Sequence, residues 1–122
     1  MKLLTPYMAT EDSRGTFTGI INSGIWEEIN VITTKAGSVR GGHYHKFTSE
    51  LFYILRGEIE VEVSKEGSAN EVHPVRSGSI FLIEPYEVHT FRCQTSCTWI
   101  NVLSKKMDAS SMDFFRKNFD GQ

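Results

Sequence analysis

His43, His45, Glu50 and His89 are the residues whose types and spacing could do chemistry. His43 and His45 sit two apart in a strand-like stretch, so both imidazoles project from one side while Tyr44 points the other way. Glu50 opens the next predicted strand, and His89 comes from a strand far along the chain. Imidazole nitrogens and a carboxylate converging from adjacent strands suit a divalent ion such as zinc, iron, nickel or manganese. An isolated His-x-His pair is as readily a surface accident or a hydrogen-bonded polar pair, so the chemistry depends on what positions the four. The remaining histidine, His73 in Glu71-Val72-His73-Pro74, has no partner in sequence and reads as a surface residue.

From Thr16 to Leu103 the chain is a succession of short β-type runs separated by Gly, Asn, Ser and Pro, the spacing of a sandwich or barrel. The clearest run is Glu58-Ile59-Glu60-Val61-Glu62-Val63, whose alternation turns Ile59, Val61 and Val63 to a core and three glutamates to water. Further strands are expected at Phe17 to Ile21, Glu28 to Thr34, Val39 to His45, Glu50 to Leu55, Glu71 to Val75, Ser79 to Ile83, Val88 to Arg92 and Thr98 to Leu103. His89 to Val102 reads as a hairpin with its tip at Gln94 to Ser96. After Ser104 the pattern changes. Ser110 to Phe119 offers hydroxyl caps, an acidic first turn and basic residues in the last, which predicts a short C-terminal helix burying Met112, Phe115 and Phe119.

The 122 residues, 39% apolar and 23% charged with a net charge of -2, point to a single domain over 1–122. A chain of this size buries roughly 65% of the surface its unfolded form exposes, enough for a core without a structural metal. Scattered Lys and Arg give no footprint for nucleic acid or an anionic membrane, and no apolar run approaches a membrane span of ~20 residues. Met1 to Ala9 is too short, with Pro6 inside it, to read as a secretory signal, so a cytoplasmic protein is expected. Cys93 and Cys97 are too few for a disulfide framework.

Gly37, His43, His45, Glu50 and Gly57 have the spacing of the first cupin motif, and Gly78 and His89 match the ends of the second. The chain therefore resembles the cupin superfamily over Gly37 to Cys93. The resemblance implies an all-β fold, a single cupin jelly-roll barrel, with His43, His45, Glu50 and His89 as ligands of one divalent metal ion and no organic cofactor. Small cupins commonly pair their sheets, and C2 symmetry is the usual form, so a homodimer is expected. The second motif is imperfect: Pro85 comes one place late, Glu84 takes its slot, Tyr86 replaces the inner Gly, and Cys93 stands where Asn is usual.

Asp12-Ser13-Arg14-Gly15-Thr16-Phe17 and Arg40-Gly41-Gly42-His43-Tyr44-His45-Lys46 resemble signatures of cupins that act on nucleotide-linked deoxysugars: 3,5-epimerases, 3,4-ketoisomerases and capsule-synthesis cupins. The resemblance implies Arg14 and Arg40 on the nucleotide diphosphate, where guanidinium forks match phosphate oxygens. It also implies His43 as general base, with His45 as the alternative, taking a proton from carbon beside a ketone. Tyr53 or Tyr86 would return the proton, although aromatic residues in a barrel are mostly core, as Trp26 and Trp99 are expected to be. A histidine on a metal has its lone pair engaged and cannot also be a free base. The resemblance splits on the same point: the epimerases and ketoisomerases resembled work without metal, whereas the capsule-synthesis cupin and most cupins with a complete HxH, Glu and His set bind one. This sequence keeps all four ligand types. The expected function is epimerisation or ketoisomerisation of a nucleotide-linked keto-deoxysugar for surface polysaccharide synthesis. The rivals are a metal-dependent dioxygenase using the same ligands and a non-enzymatic metabolite-binding module.

Overall fold

Period-two alternation dominates the chain, and the computed structural model, which describes residues 1–117, turns it into twelve strands with no helix among the described residues. They are β1 (Lys2–Leu4), β2 (Met8–Asp12), β3 (Gly15–Gly19), β4 (Glu28–Thr34), β5 (Val39–Tyr44), β6 (Glu50–Arg56), β7 (Glu58–Ser64), β8 (Glu71–Arg76), β9 (Ile80–Ile83), β10 (Val88–Cys93), β11 (Cys97–Leu103) and β12 (Phe115–Arg116). Among the described residues, one five-stranded sheet has the order β1-β9-β6-β11-β4, the other β12-β5-β10-β7-β8, and β2 and β3 pair only with each other. Every pairing is antiparallel. This is the cupin jelly roll, two sheets face to face with their inner residues interdigitated. Ile59, Val61 and Val63 of β7 are buried as their alternation requires, against Phe52, Ile54, Phe81, Ile83, Phe91 and Trp99.

Two expectations are corrected. The segment from His89 to Val102 is not a hairpin: β10 pairs with β5 and β7, while β11 pairs with β4 and β6, so the chain changes sheet at Gln94 to Ser96. Phe91 and Trp99 then face each other across the sandwich with ring centroids 5.1 Å apart. Cys93 and Cys97 flank this crossing as buried free thiols, and burial, then the Cys97 thiol, pushes Cys93 up to about 11, far from a reactive thiolate.

The C-terminal helix is absent over 110–117, and residues 118 and 119 lie outside the described residues. An isolated helix of this length is marginal in water, and here tertiary contacts outbid it. The Asp113 carboxylate accepts hydrogen bonds from Lys46 N (2.7 Å), Phe47 N (2.8 Å) and Thr48 Oγ1 (2.8 Å). Phe115 and Arg116 then pair with Tyr44 and His43 as an added edge strand.

Two backbone features position the histidines. Register slips between His89 and Thr90 where β10 meets β5, and a Cβ on Gly41 would lie 2.4 Å from the His89 carbonyl oxygen, so only glycine lets the two strands close at this bulge. Tyr86, in the slot where the motif has glycine, keeps the left-handed conformation glycine would supply (φ 68°), and its N–H donates to the His45 carbonyl at 2.7 Å. The irregular second motif therefore preserves the turn that leads into β10.

Candidate active site

The bulge sets His43 opposite His89, whose ring centroid lies 4.4 Å away, and His45, immediately past the end of β5, continues the strand's alternation to the same side, 5.3 Å from His43. Glu50 enters from the first residue of β6. The ligand-type atoms of His43, His45, Glu50 and His89 all lie within 4.8 Å of one another. Tyr44 faces outward, stacked against Tyr86 and Phe115.

Both buried imidazoles are held from behind. His45 Nδ1 donates to the Asp113 carbonyl and His89 Nδ1 donates to the Glu87 carbonyl at 3.0 Å. A carbonyl can only accept, so each Nδ1 carries a proton and each ring points its Nε2 inward, where an unprotonated Nε2 offers a lone pair to an ion. Glu50 Oε1 touches His45 Nε2 and stands 3.3 Å from His89 Nε2, yet neither Glu50 Oε1 nor His89 Nε2 has a hydrogen bond of acceptable geometry. Burial works against the Glu50 charge, but His45 and His89 outweigh it and hold the carboxyl below the usual carboxylate range. Burial likewise opposes charge on His45, and Glu50 outweighs it, raising that imidazole. The site favours a positive charge between these groups, and two orphaned buried donor atoms face it. The residues fit a divalent ion.

His43 differs. Among the described residues its ring makes no hydrogen bond; it is only part-buried, stacked on Phe114 at 4.5 Å. Burial, then the neighbouring His89, pushes His43 down to about 4, so it is neutral at physiological pH.

The cluster sits in the wall of a cavity of about 310 Å³ whose other walls are largely apolar, including Ile32, Phe52, Phe91, Trp99, Met107 and Phe114. Arg40 lies at its edge and also lines an adjoining groove with Lys35 and Arg56; these three cations are the only charged residues in the groove wall, among the described residues. Arg40 is anchored by Nε to Thr34 Oγ1 (2.8 Å) and by Nη2 to the Thr33 carbonyl (3.1 Å).

The other sequence candidates fall elsewhere. Arg14 is in the tight turn between β2 and β3, paired with Asp12 at 2.7 Å with its side chain 88% exposed, and is not in the cavity wall. Tyr53 alternates with the cavity residue Phe52 along β6 and does not line the cavity, nor does Tyr86. Trp26 donates to the Ser23 carbonyl at 2.7 Å on the surface, and His73 lies near Glu71, 3.5 Å away.

Several cavity residues carried no sequence signal: Asn30 on β4, Asn101 on β11, and Met107 and Phe114 in the strap, the segment 104–117 that follows β11. Met112 in the same strap was expected to be buried, but on a helix and not in a cavity wall. Polar Glu28 and Asn30 face inward on β4, while Ile29 and Val31 face out at 68% and 66% exposure.

Comparison with known proteins agrees with this fold. The structure resembles a 3,4-ketoisomerase from Helicobacter canadensis with TM-score 0.81 at 20% identity, over 95% of this chain and 90% of that one. It also resembles the capsular polysaccharide assembling protein CapF from Staphylococcus aureus with TM-score 0.71 at 20% identity, over 96% of this chain but 34% of that one. At these identities the likeness establishes the fold. A curated relative, the 3-hydroxyanthranilate 3,4-dioxygenase of Ruegeria pomeroyi, is 30% identical over 71 residues, 57% of this chain and 39% of that protein. The chain thus spans well under half the length of both CapF and this dioxygenase. The polysaccharide biosynthesis C-terminal domain matches residues 10–98, a span that takes in the turn with Arg14, both cupin motifs and the whole His/Glu cluster. The chain belongs to that family.

Proposed function

We propose that the protein is an isomerase that moves a proton next to the ketone of a nucleotide-linked keto-deoxysugar, as an epimerase or 3,4-ketoisomerase of surface polysaccharide synthesis. The observation that carries this reading is the junction at Arg40, where a cavity of sugar-ring size meets a groove with only cationic charges. A pyranose ring occupies the cavity and the diphosphate lies against Arg40, whose Nη1 makes no hydrogen bond among the described residues. The family match and the ketoisomerase fold support the same chemistry.

The residues divide the work. His45, Glu50 and His89, fixed from behind or buried, would hold one divalent ion such as zinc, iron, nickel or manganese, with His43 near enough to be a fourth ligand. When bound, such an ion supplies a Lewis acid that polarises the ketone oxygen. A nitrogen on an ion has no lone pair for a proton, so base work falls to His43 outside the coordination sphere. It is neutral, unheld by hydrogen bonds and at the cavity wall. His43 takes the proton from the carbon beside the ketone, leaving an enolate. For epimerisation a proton returns to the same carbon on the opposite face; for ketoisomerisation it returns to the former carbonyl carbon while the hydroxyl proton of the neighbouring carbon passes to the carbonyl oxygen. Phe114, stacked on His43, covers the base and limits water.

Calorimetric titration of a nucleoside diphosphate into the wild type and Arg40→Lys tests this reading. Lysine keeps the charge but loses the planar fork, so affinity is expected to fall about tenfold or more. Equal affinities remove Arg40 from the phosphate, and no binding of any nucleoside diphosphate or its sugar removes the reading.

A specific observation favours one rival. The aromatic cavity wall and the dioxygenase relative suit a metal-dependent oxygenase of a small aromatic substrate. Oxygen uptake with such a substrate, together with indifference to nucleotides, would favour it.

The working unit is proposed to be a homodimer. Ile29 and Val31 expose an apolar face on edge strand β4, and the β2–β3 hairpin, which carries exposed Met8 and Phe17 with exposed Tyr7 just before it, pairs with no other strand among the described residues. A two-stranded hairpin is marginal unless covered. Sedimentation is expected to give twice the mass of one chain, and Val31→Glu a single chain; a monomeric wild type contradicts the proposal.

A further inference from the structure

Behind the cluster runs a second polar array that the proposed chemistry does not use. Asn101, nearly fully buried on β11, donates from Nδ2 to Glu50 Oε2 at 2.6 Å. Its own Oδ1 accepts from Asn30 Nδ2 at 3.0 Å, an amide directly opposite it in the β4 register. The same Asn30 Nδ2 reaches Glu28 Oε2 at 2.9 Å, and Glu28 Oε1 accepts the backbone N–H of Met107 at 2.9 Å. An unbroken chain of hydrogen bonds thus links the strap after β11 to Glu50 across three strands. All four side chains face the cavity.

The two oxygens of Glu50 are therefore unequal. Oε2 is occupied by a short amide bond, whereas Oε1 is the oxygen that faces His45 and His89 without a hydrogen bond of its own. Asn101 cannot turn away without stranding its Oδ1 and the Glu50 oxygen in a buried place, which is costly. We propose that Asn101, oriented by Asn30 and Glu28, is a positioning residue that confines Glu50 to one-oxygen metal ligation through Oε1. The consequence is chemical. A carboxylate restricted to one oxygen would fill one coordination position instead of two, leaving the ion more room for a substrate oxygen. Asn101 then acts on ligand geometry, not through contact with substrate.

This inference rests on the metal reading of the site, and the experiment separates the two. Chelator-stripped wild type, Asn101→Leu and Asn30→Ala are titrated with Co(II), followed by calorimetry and by the visible absorption of the bound cobalt. Asn101→Leu keeps the volume but has no donor, so Glu50 is free to rotate both oxygens inward. Loss of an outer-shell partner typically weakens metal binding about 10- to 100-fold, and the cobalt band should change intensity as coordination number rises. Asn30→Ala, at a less buried position, leaves the Asn101–Glu50 bond in place but unbraced and should shift both readouts in the same direction by less. If wild type takes up no cobalt, the metal reading fails before any variant is compared. If wild type binds cobalt, and Asn101→Leu or, should that variant not fold, Asn30→Ala keeps the same affinity and spectrum, the positioning role is overturned.

Discussion

Replacing His43 by Asn is expected to cut the rate of proton exchange on a keto-sugar nucleotide by a factor of about 10² to 10⁴, the usual contribution of a positioned general base. Asparagine keeps the shape and polarity of the edge that packs on Phe114 and His89 but has no basic nitrogen. The same variant should bind a nucleoside diphosphate as wild type does, because Arg40 and the groove are untouched, so the loss falls on turnover and not on binding. Metal content separates the roles further. If His43→Asn retains the ion, His43 stands outside the coordination sphere. If it loses the ion, His43 is a ligand, and the base must be sought elsewhere.

The second large effect concerns the ion itself. Protein prepared without chelator is expected to hold about one divalent ion per chain, and the double variant His45→Ala, His89→Ala to hold almost none. The double variant removes both Nε2 atoms that face Glu50 Oε1. An ion that binds only the folded state stabilises it by mass action, so chelator should lower the melting temperature of the wild type. It should leave that of the double variant unchanged. Elemental analysis and thermal melts in parallel decide; occupancy unchanged by the substitutions would contradict the ligand assignment.

Much of this site was legible in the sequence because its key residues obey local rules. The histidine pair shares a face by simple alternation, and cupin spacing brought Glu50 to it from the next strand and His89 from one distant along the chain. The boundaries of β4 match the expectation, but its faces reverse the ordinary rule: Glu28 and Asn30 face the cavity, while Ile29 and Val31 face out. Alternation reports that a strand has two faces; which face is inside depends on what covers it, and on β4 the inside is a polar cavity. Asn30 and Asn101 were invisible for that reason, since an amide in a strand has no motif and gains its meaning only from Glu50, one strand away from Asn101 and two from Asn30. The strap failed differently. Ser110 to Lys117 has the caps and charges of a helix, but the Asp113 carboxylate finds three donors in the 46–48 loop and Phe114 finds the His43 ring. Tertiary partners overrode local propensity. The three-residue connection from β10 to β11 suits a hairpin or a change of sheet equally well, and only the opposed packing of Phe91 and Trp99 decides it.

The central claim, proton removal beside a ketone on a nucleotide-linked sugar, is tested most directly by incubating the metal-loaded wild type with a nucleotide-linked 4-keto-6-deoxysugar in heavy water and reading the sugar by NMR. The account predicts deuterium on carbon next to the carbonyl even where net conversion is small: at C3 alone for a 3-epimerase or 3,4-ketoisomerase, at C3 and C5 for a 3,5-epimerase. A sugar that stays free of deuterium at both positions, with the ion bound and the nucleotide in place, would contradict it.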